Sequence, residues 1–94
     1  MVGQDVPHEL EAEFNEWFVK DHIPSIMSVP GFTGVKRYVL IEGDGPKQMA
    51  VWEIESPKVL ESEVYEKARH TPWGDRIRQH LTNGRRSLYE QIYP

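Results

Sequence analysis

The chain has no cysteine among its 94 residues. That excludes disulfides as compensation for a thin core, a cysteine-ligated metal site and a thiol nucleophile. No apolar run approaches the ~20 residues of a membrane span. The start, "MVGQDVPHEL", has neither the basic nor the apolar segment of a secretory signal. GxSxG, the P-loop and GxGxxG are all missing, and no flavin or haem signature is present. "EGDGPK" joins two strands instead of opening a helix, so its glycines read as a hairpin turn and not a phosphate cradle. No two histidines stand four apart around a glutamate, as they would in a metal motif. Basic residues are in the minority, 11 against 15 acidic, for a net charge of -4; this counts against nucleic acid and against anionic membrane surfaces. The expectation is one domain over residues 1–94, cytoplasmic, without metal or cofactor.

Aromatics, in contrast, are plentiful: three Trp, four Tyr and three Phe. In "ELEAEFNEWF" the residues Leu10, Phe14, Trp17 and Phe18 recur at i, i+4, i+7 and i+8, the stripe of an amphipathic helix. Pro7 suits the helix start. Pro24 lacks an N–H and crowds the carbonyl of Lys20, so the helix is predicted to break or kink at Ile23. Met1–Asp5 reads as a short strand, and Val35–Ile41 and Gln48–Glu55 as a hairpin around the glycine cluster. Ser56 and Pro57 then read as N-cap and first residue of a second helix with Leu60, Val64, Tyr65 and Ala68 on its apolar face. Asp75–Leu81 is a short third helix, "TNGRR" a turn, and Ser87–Tyr93 the last strand. This order predicts an α+β fold, the ferredoxin-like β-α-β-β-α-β plait with a four-stranded antiparallel sheet.

Both faces of these strands carry apolar residues. Met49 and Val51 alternate with Ala50, Trp52 and Ile54, and Tyr38 and Leu40 with Val35 and Val39. The helices of a plait cover one face only. A second copy, packed sheet to sheet, is the economical cover for the other, so a homodimer is expected; the alternative is a surface with scattered exposed apolars.

On an ideal helical wheel His22 falls at the edge of the apolar arc, one turn after Phe18 and on nearly the meridian of Asn15, with Asp21 inside the arc. A neutral imidazole there can exchange protons near pH 7. The competing reading makes His22 a helix cap, bonded to the last free carbonyls. His70, near the end of the second helix, either caps it or reaches a pocket mouth with Trp73; His8 and His80 read as exposed. Arg69, Arg76, Arg78, Arg85 and Arg86 crowd the last third of the chain. They are either a solvated face or a rim that attracts a carboxylate or phenolate.

The stretch "EFNEWFVKDHIPSIMSVPGFTGVKRYVL" resembles the dimeric α/β-barrel proteins, in particular their EthD-like branch. These carry an acidic-Phe-Asn-x-Trp-aromatic segment, a His-x-Pro and a "PGF" leading into a strand. "ARHTPWGDRIRQHLTNGRRSLYEQIYP" is similar to the end of bacterial members. The likeness runs from about Glu11 to the end, with a short first strand as a departure. It implies a plait that dimerises through its sheets, with a pocket between sheet and helices in each subunit. It implies that His22, in the His-x-Pro position, is the acid/base, with Asn15 and Trp17 beside it. Relatives include isomerases, polyketide cyclases, dehydratases and cofactor-free monooxygenases, so the fold alone does not select a reaction.

Two functions of different class fit these residues. One is a cofactor-independent isomerase, cyclase, dehydratase or lyase acting on a small hydrophobic, aromatic or polyketide-like substrate. His22 is then the base, Asn15, Tyr38 or Tyr89 the donor to an enolate oxygen, and Trp17, Trp52 and Trp73 the walls, with His70 in reserve. A cofactor-free monooxygenase is a variant of it. The other is a non-catalytic small-ligand-binding or accessory protein in which His22 is structural.

Overall fold

The computed structural model describes residues 1–93. Strands β1 (Val2–Asp5), β2 (Phe32–Val39), β3 (Gln48–Ile54) and β4 (Thr82–Arg86) form one open antiparallel sheet in the order β2-β3-β1-β4. Helices α1 (Glu11–Trp17) and α2 (Ile23–Met27) precede β2, and α3 (Glu63–Ala68) and α4 (Pro72–Arg78) lie between β3 and β4. The α+β class and the four-stranded antiparallel sheet are as expected, and the strand order is compatible with a ferredoxin-like plait. Among the described residues no helix is long and apolar enough to cross a membrane.

Helix 1 does not break at Ile23. A π-helical turn, Phe18–His22, joins α1 to α2, and the chain passes through Pro24 with His22 and Ile23 still in the right-handed helical region. The wider turn accommodates the proline by moving to i→i+5 pairing, as where the Ile23 N–H donates to the Phe18 carbonyl. The helix ends a turn later, and Gly31, at φ 101°, leads into β2. Strand β2 therefore starts at Phe32, three residues earlier than expected.

The last strand is also displaced. Thr82–Arg86, expected to turn, is itself β4, and Ser87–Tyr93 is irregular. The Asn-Gly pair forms a bulge in place of a hairpin turn. Asn83 takes φ 54°, and the pairings Gly3↔Arg85 and Asp5↔Thr82 set three steps of β4 against two of β1. Met1 and Ser87 continue the ladder with reciprocal hydrogen bonds of 2.8 and 2.9 Å.

Other local signals act partly as read: the second helix begins at Glu63 and not at Pro57, and the third spans Pro72–Arg78 and not Asp75–Leu81. Ser56 accepts from the Lys58 N–H ahead of Pro57, although the turn it opens is a short 3-10 turn, Pro57–Glu61. Ser62 then caps α3 through the Tyr65 N–H. "TPW" starts α4: the Thr71 hydroxyl accepts from the Gly74 N–H, and Pro72 occupies the first turn.

The core lies between helices and sheet. Phe14, Trp17 and Phe18 pack on Val6, Ala50 and Ile77, while Ile26 and Val29 pack with Phe32; Trp52 joins the two clusters. Cross-strand pairs place Val35 with Trp52 and Arg37 with Ala50 on this side. Tyr38 with Met49 and Lys36 with Val51 therefore take the other, which no helix covers among the described residues.

Candidate functional site

Between the helices and the sheet lies a cavity of about 700 Å³. Phe14, Trp17, Phe18, His22 and Ile26 supply one wall, and Ala50, Trp52 and Ile54 of β3 supply another. Tyr65, Arg69 and Arg78 close it from α3 and α4, with Arg85 and Arg86 of β4 at its rim. Its volume falls in the range of small-molecule sites, and its lining is mostly apolar, as theirs is.

His22 sits in an aromatic box. Its ring stacks on Trp17 (centroids 4.6 Å apart) and meets Phe18 and Trp52 edge-on at 5.0 and 5.5 Å. Trp17 is fixed in turn. Its Nε1 donates to Asp21 Oδ2 (3.0 Å), which also accepts from the Thr71 hydroxyl (2.6 Å). Gly74 lets the indole lie close: a Cβ there would stand 3.2 Å from it. The chain Trp17–Asp21–Thr71 thus ties helix 1 to α4 and orients the surface against which the imidazole lies. Asp21, unexpected on an apolar arc, has its explanation here.

His22 does not cap the helix, which continues past it. Among the described residues neither of its ring nitrogens has a hydrogen-bond partner. Among the described residues no occluded side-chain nitrogen or oxygen lacks a partner, so both ring nitrogens keep exposed surface, on a residue that lines the cavity. Burial, and secondarily the positive charge of Arg78, lower its pKa from 6.5 to about 4, against the opposing pull of Asp21. The imidazole is therefore neutral at pH 7.

Trp17 and Trp52 line the cavity. The other candidates are elsewhere. Asn15 is exposed at the opposite edge, where its Oδ1 accepts from Arg37 Nη2 (2.8 Å). The π turn adds one residue to the winding, which rotates the later residues by roughly 100° and takes His22 off the meridian of Asn15. Tyr38 lies on the uncovered face, half exposed. Trp73 packs against the core from outside the cavity, and its Nε1 donates to Glu13. Tyr89 is 72% exposed in the irregular C-terminal segment. His70 lies at the surface, within 3.3 Å of Glu66 and 3.1 Å of Asp75.

Tyr65 was not anticipated as a site residue, and of the arginine cluster, read as a solvated face or a pocket rim, Arg69, Arg78, Arg85 and Arg86 line the cavity. Tyr65 stacks on Phe32 at 5.5 Å; among the described residues nothing hydrogen-bonds its hydroxyl, which is not occluded. Its place on the apolar face of the second helix was the available signal. For the arginines the signal was their crowding.

No protein-family model matches the chain, and comparison with curated proteins and with solved structures gives no match.

Proposed function

We propose that the protein is a cofactor-independent enzyme of small-molecule metabolism, of isomerase, cyclase, dehydratase or lyase type, in which His22 is the general base. One observation carries this: an unpartnered, neutral imidazole on the wall of an apolar cavity. Such a group takes a proton from carbon beside a carbonyl and returns it to a second atom, with no net redox change. Tyr65 replaces Tyr38 and Tyr89 as the candidate donor to the developing enolate oxygen, being the tyrosine on the cavity wall. Trp17 and Trp52 supply flat apolar surface for an aromatic or polyketide-like substrate.

The proposal includes the EthD-like, dimeric α/β-barrel assignment. Tyr38, Met49 and Val51 on the uncovered sheet face support pairing with a second copy through that face. Sedimentation at micromolar concentration should give twice the 11.0 kDa chain mass, and Val51→Lys should give the monomer. A wild-type monomer refutes the dimer.

The base is tested without knowing the natural substrate. Ring opening of 5-nitrobenzisoxazole to 2-cyano-4-nitrophenolate needs only a base in an apolar site: C–H and N–O bonds break, and the proton goes to the base. Saturable acceleration over buffer that is lost in His22→Gln supports the reading. A rate equal to buffer, or unchanged in His22→Gln, overturns it. A second reading, a non-catalytic ligand-binding protein, is favoured by one observation: none of the expected donors Asn15, Tyr38 and Tyr89 is beside His22.

A further inference from the structure

The chain is acidic overall, yet the cavity lining contains four arginines, Arg69, Arg78, Arg85 and Arg86, and no Asp or Glu. Three of these guanidinium groups gather around two aromatic rings. Arg69 and Arg86 lie 5.9 and 5.8 Å from the ring centre of Tyr65, and Arg78 lies 5.7 Å from that of Trp17. Their acidic partners are outside the cavity and incomplete. Asp75 meets Arg78 through one nitrogen at 3.2 Å, and Glu66 stands 3.6 Å from Arg69. Among the described residues Arg86 has no carboxylate within 4.0 Å. Each guanidinium has five N–H donors, so most of this capacity is unspent. Arg78 is partly desolvated and is opposed by the charge of Arg69. Asp75 offsets part of this charge, and an anion in the cavity would offset more.

We propose that the cavity selects an apolar, preferentially aromatic, carboxylic acid, with its carboxylate among Arg69, Arg78 and Arg86 and its body against Trp52, Phe32 and Trp17. The planar guanidinium fork matches the two oxygens of a carboxylate better than the single oxygen of a phenolate. The mostly apolar lining suits a ligand charged at one end only. This rests on the reading of the cavity as a small-molecule site and adds the class of molecule.

The experiment is a pair of titrations of the full chain with 1-naphthoate and 1-naphthamide, followed by tryptophan fluorescence at fixed ionic strength. The two probes share a ring system and differ in charge. Naphthoate should bind at least about 10-fold more tightly, the scale of a charge-assisted contact. Arg78→Gln and Arg86→Gln should each remove most of that preference, read as the ratio of the two affinities in the same variant. Arg86 is on an exposed strand, so its variant serves if Arg78→Gln fails to fold. Equal affinity for the two probes, or a preference that survives both substitutions, overturns the proposal and leaves the arginines as packing on aromatic rings. Binding of naphthamide alone does the same, while absence of binding by either probe overturns the small-molecule site as well.

Discussion

The protein has two concavities of similar size, about 700 Å³ at His22 and about 650 Å³ along the β2 edge at Asn15 and Tyr38. In the second, Arg37, Asn15 and Gln48 satisfy one another, while the Tyr38 hydroxyl and the Lys47 ammonium have no partner among the described residues. Arg37 Nη2 donates to Asn15 Oδ1 and to Gln48 Oε1, both at 2.8 Å, while its guanidinium rests 4.3 Å from the ring centre of Phe18. In the first the imidazole of His22 and the hydroxyl of Tyr65 have no protein partner among the described residues. Size therefore does not separate a candidate site from a groove; an unpartnered imidazole on a mostly apolar wall does. The Phe14 and Phe18 rings, with Arg37 over them, stand on the boundary between the two.

The strongest break in this comparison is Trp17→Ala. It deletes the indole that is 3% exposed, stacks on His22 and anchors Asp21. A loss of about 3–5 kcal/mol is expected from truncation of a buried aromatic. Chemical denaturation should show it, together with loss of cavity binding. A change below about 1 kcal/mol would mean that this wall is not rigidly built.

Acid should discriminate the two regions next. His22 titrates at about 4 in the folded chain against an ordinary value of 6.5. Between those values the unfolded chain holds a proton that the folded one does not. Stability is therefore complete above pH 6.5 and declines as pH falls toward 4, by at most on the order of 3 kcal/mol, less what partial solvation removes. In His22→Gln this part of the slope should vanish. Parallel curves for wild type and variant between pH 6.5 and 4 would place the imidazole in water.

The sharpest functional contrast pairs His22→Gln with Asn15→Ala. The first should reduce 5-nitrobenzisoxazole turnover by about 10²-fold, the usual scale of general acid–base catalysis, with the cavity still able to bind naphthamide. The second, on the groove side, should change turnover less than about twofold. Equal effects would erase the distinction between the two concavities.

How much of this was legible in the sequence differs by element. The β3 alternation of Ala50, Trp52 and Ile54 against Met49 and Val51 was readable because period 2 is local. So was the apolar stripe from Leu10 to Phe18. His22 could be read as bordering that stripe, but not as unpartnered, since the π turn ahead of Pro24 is a compromise between a proline and a packed helix. Asn83-Gly84 carries a turn signal that the neighbouring β1 converts into a bulge, and that misplaced the last strand. The arginines were visible as a cluster. Which of them face the cavity depends on β4 closing beside β1, a contact between the two ends of the chain.

The smallest expected effect joins the two proposals. Above pH 5 His22 is a neutral base, but one weakened by its surroundings, and the Arg78 charge is the second cause after burial. A carboxylate seated among Arg69, Arg78 and Arg86 offsets that charge, while the other contributions, burial and the counter-pull of Asp21, persist. The His22 pKa should then rise when the acid binds, by about one unit, or about 1.4 kcal/mol. Proton NMR of the His22 ring across pH 3–8, with and without saturating 1-naphthoate, reads this directly, with 1-naphthamide as control. The amide adds burial without charge, so it should leave the value where it is or lower it. An upward shift with naphthoate alone means that the ligand's own anion strengthens the base that acts on it. The same shift with both probes would trace it to rearrangement of the aromatic box, and no shift with bound naphthoate would place the carboxylate away from Arg78.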